Sequence, residues 1–118
     1  MKKLISIFSL LFVVCAFAQK PSLNVDKQNI AIEGYDLVAY FDQEKAVRGK
    51  ETYIHIQEGV TYLFSSEQNK NKFAKKPDRY LPQYGGWCAY AMGKDGSKVS
   101  INPKTFKLVG GKLYFFYN

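Results

Sequence analysis

The sharpest alternation of apolar and polar positions lies in residues 52–64, where Thr52-Tyr53-Ile54-His55-Ile56-Gln57 and Val60-Thr61-Tyr62-Leu63-Phe64 are both rich in β-branched and aromatic side chains. Successive side chains of a strand point to opposite faces, and Glu58-Gly59 is the two-residue turn that closes a hairpin. Ile54 and Ile56 share one face of the first strand and Tyr53, His55 and Gln57 the other, so the pattern predicts the histidine on the less apolar face. Val60, Tyr62 and Phe64 share a face of the second strand. Ser65 follows at once and, with Gln68 three residues on, fits a capping box. It predicts a helix to about Lys76, anchored inward by Phe73 and stopped by Pro77. Phe106–Val109 and Lys112–Tyr117 flank Gly110-Gly111 as a second hairpin, and Lys98–Asn102 alternates with period two.

The segments between are less regular. Residues 19–29 read as an extended strap, and Ile30-Ala31-Ile32, ended by Gly34, as a short edge strand. Tyr35–Phe41 carries five large apolar or aromatic side chains, with Asp36 placed to cap the first amides of a helical turn. Residues 42–52 form a charged loop anchored by Val47. Pro77–Pro82 makes a prolyl turn that sends Tyr80 and Leu81 inward, and Gly93–Ser97 reads as a loop. The prediction is a single α+β domain over residues 30–118, a short antiparallel sheet of about five strands with one main helix. Beyond the echo between the hairpins there is no repeat. An aromatic last strand needs cover, from the domain itself or from a second copy in a homodimer.

The first residues change the setting. Met1-Lys2-Lys3, an apolar run from Leu4 to Val14 and Ala16-Phe17-Ala18 match a charged n-region, a short h-region and an A-x-A cleavage site, so residues 1–18 are predicted to be a signal peptide. Export to the periplasm or beyond follows. The run is too short for a membrane span. Lipoprotein processing at Cys15 is disfavoured by Val14, since a lipobox prefers a small residue there. Removing 18 of the 118 residues leaves 100, enough for one domain. The formal charge of +7 falls to +5 once Lys2 and Lys3 are gone, and an exported chain of that charge points away from nucleic acid. The basic run from Lys70 to Arg79 reads as a solvated helix face. Cys15 also leaves, so Cys88 has no intramolecular disulfide partner.

Tyr84-Gly85-Gly86-Trp87-Cys88-Ala89-Tyr90-Ala91 is the richest stretch chemically, with three aromatic rings, two adjacent glycines and that cysteine. The glycines permit positive φ and close approach of another segment. A thiol beside bulky rings is either a small buried hydrophobe or a ligand or nucleophile in a shaped pocket.

Four separated motifs resemble those of exported YHS-domain proteins: Gly34–Phe41, Thr61–Glu67, the Lys76–Tyr90 run with its Tyr-Gly-Gly-Trp-Cys-Ala-Tyr core, and Gly111–Asn118. The resemblance spans about residues 30–118. It implies a small domain of the kind associated with heavy-metal and copper handling. In metal-binding relatives a cysteine follows the Asp-Pro-Val of the first motif and two more flank the strand-helix junction, whereas the matching positions here hold Ala39, Ser65 and Asn69, and Leu37 replaces the proline. Cys88 matches the cysteine of the exported branch. Exported relatives usually continue into a further helical segment after the final strand.

A metal site would therefore centre on Cys88, with His55 and Asp36 as helpers. A soft thiolate and an imidazole suit copper(I) or zinc, but four ligands of a structural zinc site are not on offer, which leaves a labile or shared ion. The alternative is a binding module in which Tyr35, Tyr40, Tyr84, Trp87 and Tyr90 line an aromatic cleft for a flat or cationic molecule. A thiol enzyme needs a base beside Cys88, and His55 is the one imidazole available, so the sequence favours binding over catalysis.

Overall fold

The computed structural model describes residues 22–118; the signal peptide expected at 1–18 lies outside them, as does the start of the strap. The element order is α1 (Leu37–Asp42), β1 (Lys50–Gln57), β2 (Val60–Phe64), α2 (Glu67–Lys75), α3 (Pro77–Tyr80), α4 (Ala89–Asp95), β3 (Asn102–Val109) and β4 (Lys112–Phe116), with 3₁₀ turns at Ile32–Gly34 and Gln83–Gly86. The architecture is α+β with antiparallel pairing, as expected. Among the described residues, however, the strands are four, in two separate two-stranded sheets, and the α-helices are four.

Both hairpins form at the expected turns. Glu58 and Gly59 take φ of 50° and 79°, and Gly110 and Gly111 take 59° and 76°, the doubly positive pattern that matches the right-handed twist of the flanking strands. The echo extends into register: Lys50 pairs with Phe64 and Gln57 with Val60, just as Asn102 pairs with Phe116 and Val109 with Lys112, with an irregularity at the same place in each.

The fifth strand does not form. Ile32 and Glu33 turn to positive φ, so residues 30–32 make isolated bridges, Ile30 to Thr61 and Ala31 to Val25, instead of a strand. The alternation at 98–101 is real in burial, since Val99 and Ile101 pack inward, but the Val99 carbonyl accepts from the Cys88 amide at 3.0 Å and no strand pairs alongside.

The more apolar face of β1 is not the buried one. Ile54 and Ile56 are 40% and 65% exposed, while Tyr53, His55 and Gln57 are half-buried. The cause lies across the strand: His55 pairs with Tyr62, whose face α2 covers, and Phe73 of that helix meets Tyr62 at 4.5 Å, Phe64 at 5.2 Å and the His55 ring edge-on at 5.7 Å. Phe73 is the buried anchor the helix was expected to have.

The cap of α2 is Ser66, which accepts from the Asn69 amide at 3.1 Å, one residue later than predicted. The helix still ends before Pro77, and that proline opens the single turn α3, which buries Tyr80. Residues 93–95, expected as loop, belong to α4, closed by Gly96 in the left-handed conformation. No residue of α4 is fully buried and Cys88 gives its first turn no side-chain cap, so neither an apolar stripe nor a capping residue announces it.

The helix α1 ties the two hairpins together. Its cap, Asp36, reaches the end of β2, while Tyr40 lies fully buried and edge-on to Phe106 at 4.8 Å and Phe115 at 5.0 Å. The Tyr40 hydroxyl donates to the Pro103 carbonyl at 2.7 Å. The β4 edge is met within the chain, where the backbone at Cys88 bridges in parallel to Phe115. No helix among the described residues is long and apolar enough to cross a membrane.

Candidate functional site

Asp36 is a fully buried carboxylate that accepts five hydrogen bonds. Oδ1 takes the Val38 and Ala39 amides at 2.9 and 3.1 Å, the helix cap its position predicted. Oδ2 takes the Ser65 amide at 2.8 Å, the Ser65 hydroxyl at 2.6 Å and the Asn69 Nδ2 at 2.8 Å. Ala39, Ser65 and Asn69 are the three positions that the resemblance set against cysteines. The fold does bring them together, and here they converge as donors on one carboxylate. A buried charge with this many donors is satisfied in place. Any ion seeking Asp36 must first break some of those bonds.

Cys88 is 3% exposed and sits in the main hydrophobic cluster with Phe115 and Ile101. Its amide is held by Val99 and its carbonyl by the Met92 amide at 3.0 Å. His55 belongs to the first hairpin, with Nε2 3.2 Å from Gln57 Oε1. Among the described residues no three His, Cys, Asp or Glu side chains form a group able to hold a metal ion, so Cys88, His55 and Asp36 are not brought together as a ligand set.

The five candidate aromatics also part company. Tyr35 is buried with the Arg48 guanidinium 5.0 Å from its ring centre. Tyr40 is core, and burial, the dominant cause, with Tyr35, Glu33 and Asp36 nearby, pushes its hydroxyl pKa far above the ordinary value. Trp87 Nε1 donates to the Ser22 carbonyl at 2.6 Å and so fastens the strap. Tyr90 stands exposed on α4. Tyr84 lines a cleft.

That cleft, about 560 Å³, opens between the first hairpin turn and the loop after α3. Glu58, Val60 and Tyr62 form one wall, Asp78, Leu81 and Pro82 another, and Leu23 of the strap and Tyr84-Gly85 complete it. The glycine pair shapes this corner. Tyr84, Gly85 and Gly86 take φ of 59°, 67° and 84° in succession, and a Cβ on Gly86 would stand 2.4 Å from Ile32 Cδ1. A tyrosine at positive φ costs on the order of 1–2 kcal/mol. Asn24 of the strap holds the turn, its amide donating to the Gly85 carbonyl at 2.8 Å and its Nδ2 to that of Gly86 at 3.1 Å.

Tyr62, absent from the sequence candidates, is the innermost ring of the cleft. It could be found from its place on the shared face with Val60 and Phe64, but the partners opposite it could not. Burial first and the Glu58 charge second raise its pKa from 10.0 to about 12. The unfolded chain then loses this proton before the folded one, so the stability it confers is complete below pH 10.0 and drains away as pH rises towards about 12. Denaturant titrations at alkaline pH should show stability falling across that window, less steeply in Tyr62→Phe; parallel slopes would show that Tyr62 does not titrate there.

No curated protein and no solved structure matches the chain. Residues 38–84, from α1 through the first hairpin, α2 and α3 to Tyr84 at the rim of the cleft, match the family model of the YHS domain.

Proposed function

We propose that this chain is an exported, non-catalytic binding domain of the YHS type and that its ligand site is the cleft at Tyr62 and Tyr84. The observation that carries this reading is that exposed Tyr84, Glu58 and Asp78 converge on one cleft, which the buried Tyr62 backs. The cleft joins two tyrosines and two carboxylates around an open apolar floor, whereas Asp36 is saturated by donors and Cys88 is packed in the core. Catalysis is disfavoured because the thiol is buried and the imidazole is engaged with Gln57 and Phe73.

A second reading comes from the family match, since YHS domains are associated with metal handling, copper in particular. It assigns copper(I) or zinc to Cys88 with His55 and Asp36 as helpers. Anaerobic titration with each ion separates the two. The cleft reading expects wild type and Cys88→Ser to behave alike. Uptake of one equivalent that Cys88→Ser loses would establish the metal instead.

A further inference from the structure

We infer that the cleft takes a small organic cation, an alkylammonium with an apolar body, and that Glu58 and Asp78 select it by charge. This deepens the cleft reading and rests on it. The lining contributes two carboxylates and no lysine or arginine, in a chain with 17 basic residues against 10 acidic ones. The cleft thus reverses the sign of its surroundings. The nearest basic neighbour in sequence, Arg79, has its guanidinium 5.7 Å from the Tyr80 ring centre and is not part of the lining.

The remaining walls suit the body of such a ligand. Leu23, Val60 and Leu81 offer aliphatic surface and Tyr84 an exposed ring, while Tyr62, 5% exposed, backs the wall. A cation over a tyrosine face gains about 0.5–2 kcal/mol, more as water is excluded. Tyr62 has Phe73 at 4.5 Å to support it, and Tyr84, 42% exposed, lies 6.1 Å from Tyr114. The Glu58 charge is felt at Tyr62, whose proton it helps to retain. An anion would meet two carboxylates, and a neutral molecule would gain burial alone. The cleft volume lies within the range of about 300–1,000 Å³ typical of small-molecule sites.

The test uses choline and its uncharged isostere dimethylbutanol, titrated into the intact isotope-labelled chain and followed by amide shifts. Choline should move the amides of Tyr62, Tyr84 and Gly85 saturably, with dimethylbutanol at least about fivefold weaker. Glu58→Gln with Asp78→Asn should weaken choline about fivefold and leave dimethylbutanol unchanged. Equal binding of the two probes at those amides would overturn the cation inference while leaving the cleft reading intact. If neither probe moves them, both fall.

Discussion

Asp36→Ala is expected to cost about 3–5 kcal/mol, a large share of the stability of a domain this size, because it removes the single acceptor of five hydrogen bonds in a fully buried place. The loss has two parts. The first turn of α1 loses its cap, worth about 1 kcal/mol by itself. The larger part comes from the far side of the carboxylate, where the part-buried Ser65 amide and the buried Asn69 Nδ2 lose their acceptor. Asp36→Asn tests the same point more finely. An amide keeps one acceptor oxygen but turns an NH₂ group towards donors on the other side, so the asparagine variant should also lose stability, though less. Urea denaturation of both variants, with the surface variant Asp42→Ala as control, measures this. A loss below about 1 kcal/mol in Asp36→Ala would show that water or a neighbour replaces the carboxylate.

Gly49→Ala is expected to be nearly as damaging, at about 3 kcal/mol, for a purely steric reason. The added Cβ would fall 2.4 Å from the Leu63 carbonyl carbon and 2.6 Å from its oxygen and Cβ. Backbone cannot swing aside as the tip of a side chain can. Leu63 is paired with Ile54 and lies between Tyr62 and Phe64, both buried, so moving it disturbs the wall that meets Phe73. Gly49 is also tied back to the start of the domain through its amide, which donates to the Gly34 carbonyl at 2.8 Å. Gly93→Ala supplies the contrast. Its Cβ would meet nothing within 4 Å, and the residue lies inside α4, where alanine favours the helix by about 0.5–1 kcal/mol. Thermal melts should therefore move in opposite directions for the two variants. Matching shifts would mean that β2 yields at Leu63.

Much of the local structure was legible because its cause lies within a few residues. Glu58-Gly59 and Gly110-Gly111 dictate their turns through dihedral preference. Asp36 caps the helix that begins at the next residue, Pro77 ends α2 by lacking an amide hydrogen, and Phe73 is the one large apolar side chain on its helix. The resemblance to the YHS domain was likewise legible, and a family match over residues 38–84 supports it.

The features that bear on function were decided elsewhere. Ser65 fits a helix cap by spacing, yet its hydroxyl goes to a carboxylate 29 residues away and leaves the cap to Ser66. Ile54 and Ile56 look like the inward face of β1, but a strand has two faces and the partner decides which is covered; α2 lies over Tyr62, so His55 turns in and the isoleucines turn out. The five aromatics near one another in character are sent to core, strap, helix surface and cleft by contacts that no periodicity records. The sequence by itself determined the turns, the caps within one turn's reach and the residues that had to leave water, since those follow from backbone preference and transfer free energy. Only the tertiary structure decided which face is buried, which donors meet Asp36 and that Tyr62 and Tyr84 share a cleft, because each depends on two segments distant along the chain arriving at one place.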